Sequence, residues 1–203
     1  MALSYLVLTN YIVLDIFIIP IFTILHGRVK RKEDVSMNDK KIRRMVISAL
    51  MAALVCVATM VVRIPTPTNG YVNLGDCFVL LCGWLLGPIW GGMASGIGSM
   101  LTDLFAGYTS YVPGTFLIKG LDALVAALIF RALGRNTVAA IVSGVVGELI
   151  MVGGYFVYES LFLQYGVGAA VSIPGNLVQG AVGLVIGVVL LKIFQKARIA
   201  EKF

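Results

Sequence analysis

Charge is what this sequence has least of. Only 13% of its 203 residues are Asp, Glu, Lys or Arg, about half the usual share of a soluble domain. Histidine is nearly absent too. His26 is the only one and stands outside the main apolar body, so neither a zinc site nor a His-based catalytic triad is expected. Cys56, Cys77 and Cys82 show no C-x-x-C spacing and sit in or beside apolar runs, where they read as small packing residues. No G-x-x-x-x-G-K-[ST] occurs, which excludes ATP hydrolysis by P-loop chemistry. The glycines from Gly91-Gly92 to Gly98 open an apolar segment instead of following a strand, and so read as helix packing. No nucleophile–base pair stands out, which argues against an enzyme.

What is there is apolar surface. Hydrophobic residues make up 59% of the chain and the mean hydropathy is +0.96. The apolar residues come in runs of about 18 to 22, the length that crosses a bilayer core as helix. The net charge of +6 could point to nucleic acid, but its distribution does not. Lys and Arg gather at segment ends, at 28–32, 40–44, 131–135 and 192–202, as in a membrane protein with positive cytoplasmic loops.

Six apolar segments follow residue 40: Ile42–Val62, Leu74–Leu86, Ile89–Phe105, Thr115–Leu133, Thr137–Tyr158 and Pro174–Phe194. The expected fold is an all-α integral membrane bundle. The breaker-rich 63–70 stretch reads as an ordered loop or hairpin. The second segment is short for a span and stops at Gly87-Pro88. With 40–44 inside, six spans return the C-terminus to the cytoplasm. The inside then holds Lys/Arg at 40, 41, 43, 44, 131, 135, 192, 196, 198 and 202, and the outside loops only Arg63. The chain thus divides into an N-terminal apolar stretch, 1–36, and a membrane domain, 37–203. Ser4–Leu25 is apolar enough for an extra N-terminal helix, and lacks the basic n-region of a signal peptide. The other reading is a natural start at Met37, because Lys32-Glu33-Asp34 can be encoded by a purine-rich ribosome-binding sequence.

Ionisable groups are costly in lipid and usually face a cavity or a partner. Here they are Asp76, Asp103, Lys119, Asp122, Glu148 and Glu159, with Asp122 and Glu148 the deeper ones. They read either as an outward-facing polar pocket or as internal pairs, for instance Lys119 with Asp103 or with Asp122, its i+3 neighbour. Asn176 and Gln179, three apart at the start of the sixth segment, aim two amides one way. Uncharged donors and acceptors suit the edge of a heteroaromatic ring, though they could equally bond between helices. Tyr71, Tyr108, Tyr111, Tyr155, Tyr158 and Tyr165 gather at the same level as an interfacial belt. Tyr155, one turn before Glu159, is the stacking candidate. In the first segment Ser48/Ala52 and Ala49/Ala53 form small-x-x-x-small faces that let another helix approach closely, within the bundle or from outside.

Taken in order, these features resemble the substrate-binding S component of energy-coupling factor (ECF) vitamin transporters over residues 38–200. They are the basic start with Ser48-Ala49-Leu50-Met51-Ala52-Ala53, then Tyr71-Val72-Asn73-Leu74-Gly75-Asp76 after a Pro-containing loop. Leu86-Gly87-Pro88 follows, with the glycine-rich helix leading to Asp103-Leu104, and last Pro174-Gly175-Asn176 with Gln179. The resemblance implies a six-helix bundle in a bacterial cell membrane that captures a vitamin from outside, with the first loop closing over it. Its substrate residues would be drawn from Asn73, Asp76, Asp103, Lys119, Glu148, Tyr155, Glu159, Asn176 and Gln179. The Ala49/Ala53 face would dock on a transmembrane coupling subunit, and two cytoplasmic ATPases would use the ATP, so the chain needs no cofactor of its own. The pattern is most similar to the branch associated with riboflavin, pyridoxine and hydroxymethylpyrimidine. Cobalt and nickel are disfavoured, because metal-transporting relatives use an N-terminal His. The competing expectation is a standalone proton-coupled secondary transporter, with the buried acids as relay.

Overall fold

The computed structural model describes residues 37–65 and 71–197. The chain divides into Met1–Lys41 and Ile42–Phe203. The reading of 1–36 as an extra helix or as sequence before the natural start lies outside the described residues, and so does the 66–70 loop. Among the described residues there are six α-helices: α1 (Met37–Val61), α2 (Asp76–Leu86), α3 (Pro88–Ala106), α4 (Val112–Ala132), α5 (Thr137–Val157) and α6 (Ile173–Lys196). Strands β1 (Arg63–Pro65) and β2 (Tyr71–Asn73) pair antiparallel, Ile64 opposite Val72, so the flanks of the breaker-rich stretch form the hairpin. A π-helical turn, Tyr158–Phe162, extends α5, and a 3₁₀ turn, Gly166–Ser172, leads into α6.

Among the described residues, four helical stretches are long and apolar enough to cross a membrane: Lys41–Val61, Val112–Ala132, Thr137–Phe162 and Gly166–Lys196. The expected six spans are therefore met on length and composition by four. α2 is a shorter apolar helix, and α3 carries enough Gly, Ser, Thr and Asp to dilute its hydropathy. α2 does not run on into α3. Gly87 breaks the chain at φ +87°, where a side chain would be strained, and Pro88 then starts α3, where its missing N–H costs nothing. Val79, Leu80, Leu81 and Cys82 of α2 are fully buried. A helix apolar all round belongs inside a bundle, and α2 packs against α3, α4 and α6.

The other helices are two-faced, with the apolar face outward. On α4, Leu117, Leu121 and Leu128 are exposed, whereas Thr115, Lys119 and Asp122 are buried. Helix periodicity thus sends the polar residues to the interior and leaves leucines for lipid. α4 begins at Val112, three residues before the expected Thr115, because Pro113 is tolerated in a first turn. The Asn136 side chain caps α5, accepting from the Ala139 N–H at 2.8 Å, a contact of about 1 kcal/mol. Trp84 of α2 donates to Ser143 of α5 at 3.0 Å, so the buried indole N–H has its partner. These contacts hold α2, α4, α5 and α6 around one polar interior.

Candidate functional site

That interior opens as a recess at the end of the bundle nearest the hairpin. Asn73, Asp103, Lys119, Tyr155, Glu159, Asn176 and Gln179 line it. Asp76 and Glu148, also expected there, are not on its wall. Each is buried, Asp76 directly behind Lys119.

The base of the recess is a bonded assembly. Lys119 of α4 forms an ion pair with Oδ1 of Asp76, the first residue of α2. This replaces the expected pairing of Lys119 with Asp103 or Asp122. Lys119 and Asp122 do share a helix face, but Asp122 lies nearer α5, with Oδ1 against Gly147. Gln179 of α6 donates its Nε2 to Asp76 Oδ2 at 2.7 Å, so both Asp76 oxygens are engaged. The Gln179 Oε1 accepts from the Asn73 backbone N–H at 2.7 Å. Asn73 Oδ1 in turn accepts from the Gly75 N–H at 2.7 Å. A continuous polar chain therefore runs from the ammonium of Lys119 to the base of the hairpin. A buried pair persists where its desolvation is offset by such additional hydrogen bonds.

Tyrosines form the upper wall. Tyr71 donates to Asp103 Oδ1 at 2.5 Å, and its ring lies 4.9 Å from that of Tyr108. Burial, then the neighbouring Asp103 charge, pushes the Tyr71 phenol well above its ordinary range. It therefore remains a donor at any physiological pH. Tyr111 donates to Glu159 Oε1 at 3.1 Å, and the Thr115 and Tyr155 hydroxyls bond at 3.1 Å. Lys119 Nζ stands 5.7 Å from the Tyr155 ring centre, within cation–π range. The π-helical turn after α5 contains Glu159 as its one buried residue. Such turns widen the helix locally and recur at functional sites.

Asn176 and Gln179 prove unlike. Gln179 holds the assembly together, whereas Asn176 lines the recess and makes no hydrogen bond to any described residue. Tyr71 and Tyr111, expected in an interfacial belt, face the recess instead. Thr59, Ser99, Thr115 and Ser172 line it as well and were not anticipated. On α1, Ser48 and Ala52 are buried, while Ala49 and Ala53 are exposed. One small-residue face of that helix is therefore turned inward and the neighbouring one is exposed. In chemical terms the recess offers one ammonium, two carboxyl groups, one amide free of described partners and aromatic faces. That set suits a small, polar, ring-containing ligand.

Comparison with known proteins places this geometry. The family model for ECF-type riboflavin transporter S components matches residues 39–196. An uncharacterised protein of Pyrococcus woesei is 38% identical over 136 residues, 66% of this chain and 88% of that one. The thiamine precursor transporter HmpT of Lactococcus lactis subsp. cremoris is 28% identical over 170 residues, 82% of this chain and 96% of that one. A solved S component of a bacterial ECF transporter superposes with a TM-score of 0.63, at 20% identity, over 77% of this chain and 97% of that one. At that identity the likeness shows a shared fold.

Proposed function

The chain belongs to the family of S components of ECF-type riboflavin transporters, and from that premise we propose that it captures a small water-soluble vitamin or vitamin precursor outside the membrane for import. The family consists of transporter components and not enzymes. The ligand class is a polar heteroaromatic ring of the hydroxymethylpyrimidine or pyridoxine kind, with riboflavin as the larger relative. The observation that carries this reading is the wall of the recess, which Asn176, Asp103, Glu159 and Lys119 line together with Tyr155. Carboxyl oxygens accept from ring amino or hydroxyl groups, and Asn176 can both donate and accept along a ring edge. The likeness to a thiamine precursor transporter supports a pyrimidine over a flavin.

The chain carries no P-loop, so the energy for release comes from partners in this account. These are a transmembrane coupling subunit, met by the exposed Ala49/Ala53 face of α1, and two ATPases on the cytoplasmic side, where the basic C-terminal end lies. Equilibrium binding of the detergent-purified protein to hydroxymethylpyrimidine, pyridoxine and riboflavin tests the reading. Submicromolar binding of one of the three supports it, and millimolar or absent binding of all three contradicts it. Uptake that survives deletion of the ATPases, yet stops with an uncoupler, would instead favour the standalone proton-coupled carrier.

A further inference from the structure

Asp103 lies near the C-terminal end of α3, on the wall of the recess, and is 3% exposed. Its two carboxyl oxygens are not equivalent. Oδ1 accepts from the Tyr71 hydroxyl at 2.5 Å. Oδ2 is also buried, and it has no hydrogen-bond partner among the described residues. A buried acceptor without a donor is destabilising, and more so when it is charged. Other donors on the same wall are engaged elsewhere. Lys119 pairs with Asp76, Gln179 donates to Asp76, and the Thr115 and Tyr155 hydroxyls bond each other.

Tyr71 also fixes the carboxyl group in place. Its ring packs on Tyr108, and the Asp103 side chain cannot turn without breaking the bond to Oδ1. Oδ2 is therefore an acceptor of fixed position, and a carboxylate oxygen cannot change role. Hydroxyls on the wall, such as those of Ser99 and Thr115, can rotate to donate or accept. They suit a ligand hydroxyl in either sense. A fixed acceptor is matched instead by a group that only donates, the N–H of a ring amine or ring imide.

We propose that Asp103 is a specificity-determining residue of the recess, with Oδ2 accepting an N–H of the ligand while Tyr71 holds Oδ1. The ligand class is then a heteroaromatic ring that bears an N–H donor. Hydroxymethylpyrimidine, with its ring amine, and riboflavin, with its imide, belong to that class. Pyridoxine, whose donors are all hydroxyls, does not. This assignment rests on the recess being the vitamin site and narrows what that site selects. Its energetic basis is the one by which a site built around a hydrogen bond rejects an analogue lacking the partner, since the buried group is then left unpaired.

Asp103→Asn tests it, because Tyr71 decides which way the new amide stands. The Tyr71 O–H takes the amide oxygen, which leaves the NH₂ group where Oδ2 was. An acceptor thus becomes a donor with size and shape kept. Binding of hydroxymethylpyrimidine, riboflavin and pyridoxine to the detergent-purified wild type and variant is measured beside thermal unfolding. In the wild type one N–H-bearing ligand should bind at least tenfold more tightly than pyridoxine, and Asp103→Asn should lose at least tenfold of that affinity. The unfolding midpoint of the variant should be no lower, since a neutral amide is less costly to bury than a carboxylate. Affinity that is unchanged or raised in Asp103→Asn overturns the proposal, and so does a wild type that prefers pyridoxine. Should the variant fail to fold, the wild type answers alone. Hydroxymethylpyrimidine stripped of its amine, or riboflavin methylated at its imide nitrogen, must bind at least tenfold more weakly than the parent, and equal binding overturns the proposal. Absence of binding of all three ligands to the wild type removes the vitamin reading itself, and this assignment with it.

Discussion

Lys119 of α4 and Asp76 of α2 form an ion pair from which water is almost wholly excluded, and Gln179 of α6 closes the second Asp76 oxygen. Three helices that are far apart in sequence are thereby tied at the base of one recess.

Removing either partner strands the other in a buried site, which costs about 3–5 kcal/mol. Lys119→Met and Asp76→Leu are each expected to lower the thermal unfolding midpoint in detergent markedly. The double variant should recover a large part of the loss. Additive losses in the double variant would show that the two groups are not coupled.

Asn176 and Gln179 are expected to behave differently under the same change. Asn176→Ala removes an amide that bonds to no described residue. It should weaken ligand binding at least tenfold, about 1.4 kcal/mol, with the unfolding midpoint unchanged. Gln179→Ala should lower both, because it also breaks the bonds to Asp76 and Asn73. Calorimetric binding paired with thermal unfolding checks this. Equal behaviour of the two variants would remove the distinction.

Much of this architecture is legible in the sequence, and the boundary of what is not has a physical cause. The six helices follow from apolar runs and breakers, and the polar interior follows from the cost of charge in lipid. The partner of Lys119 was not legible. Proximity along α4 favours Asp122, whereas the actual partner, Asp76, comes from a helix 43 positions earlier in the chain. Ser99, Thr115 and Ser172 were missed because hydroxyls are common in membrane helices and cost little there. Their spacing did hold a signal. Tyr111, Thr115 and Lys119 recur every four residues, as do Ser99 and Asp103, and Ser172 stands one turn before Asn176. Following polar residues at helical period from each ionisable group would have found them. Tyr71 and Tyr111 look like interfacial tyrosines because they occupy that level, and only packing shows them turned inward.

Tyr71→Phe deletes the donor to Asp103 and leaves that buried acceptor short of a bond, at a cost of about 1–3 kcal/mol. The Tyr71 phenol is raised in the folded protein, mainly by burial. Its stabilisation is therefore complete below the ordinary tyrosine value of about 10. It is lost only as pH rises beyond that, through the higher folded value. The difference in unfolding midpoint between wild type and Tyr71→Phe should accordingly stay constant across neutral and mildly alkaline pH, and shrink only in strong alkali. A difference that vanished near neutrality would contradict the bond.

Ala49 and Ala53 are exposed on α1, so a bulky residue there does not disturb the bundle. Ala49→Trp and Ala53→Trp should leave ligand affinity within about twofold and abolish uptake in cells that hold the ATPases. The twofold margin corresponds to less than about 0.5 kcal/mol, ordinary for a surface change. Retained uptake would show that the partner approaches by another face.

The most direct measurement is to purify the protein from cells grown in rich medium, denature it, and identify the released small molecule by mass spectrometry. The account requires a stoichiometric polar heteroaromatic vitamin or precursor, a pyrimidine, B6 vitamer or flavin, that is depleted in the Asn176→Ala preparation. Recovery of a metal ion or a lipid alone, or of a vitamin still bound at full occupancy in Asn176→Ala, would contradict it.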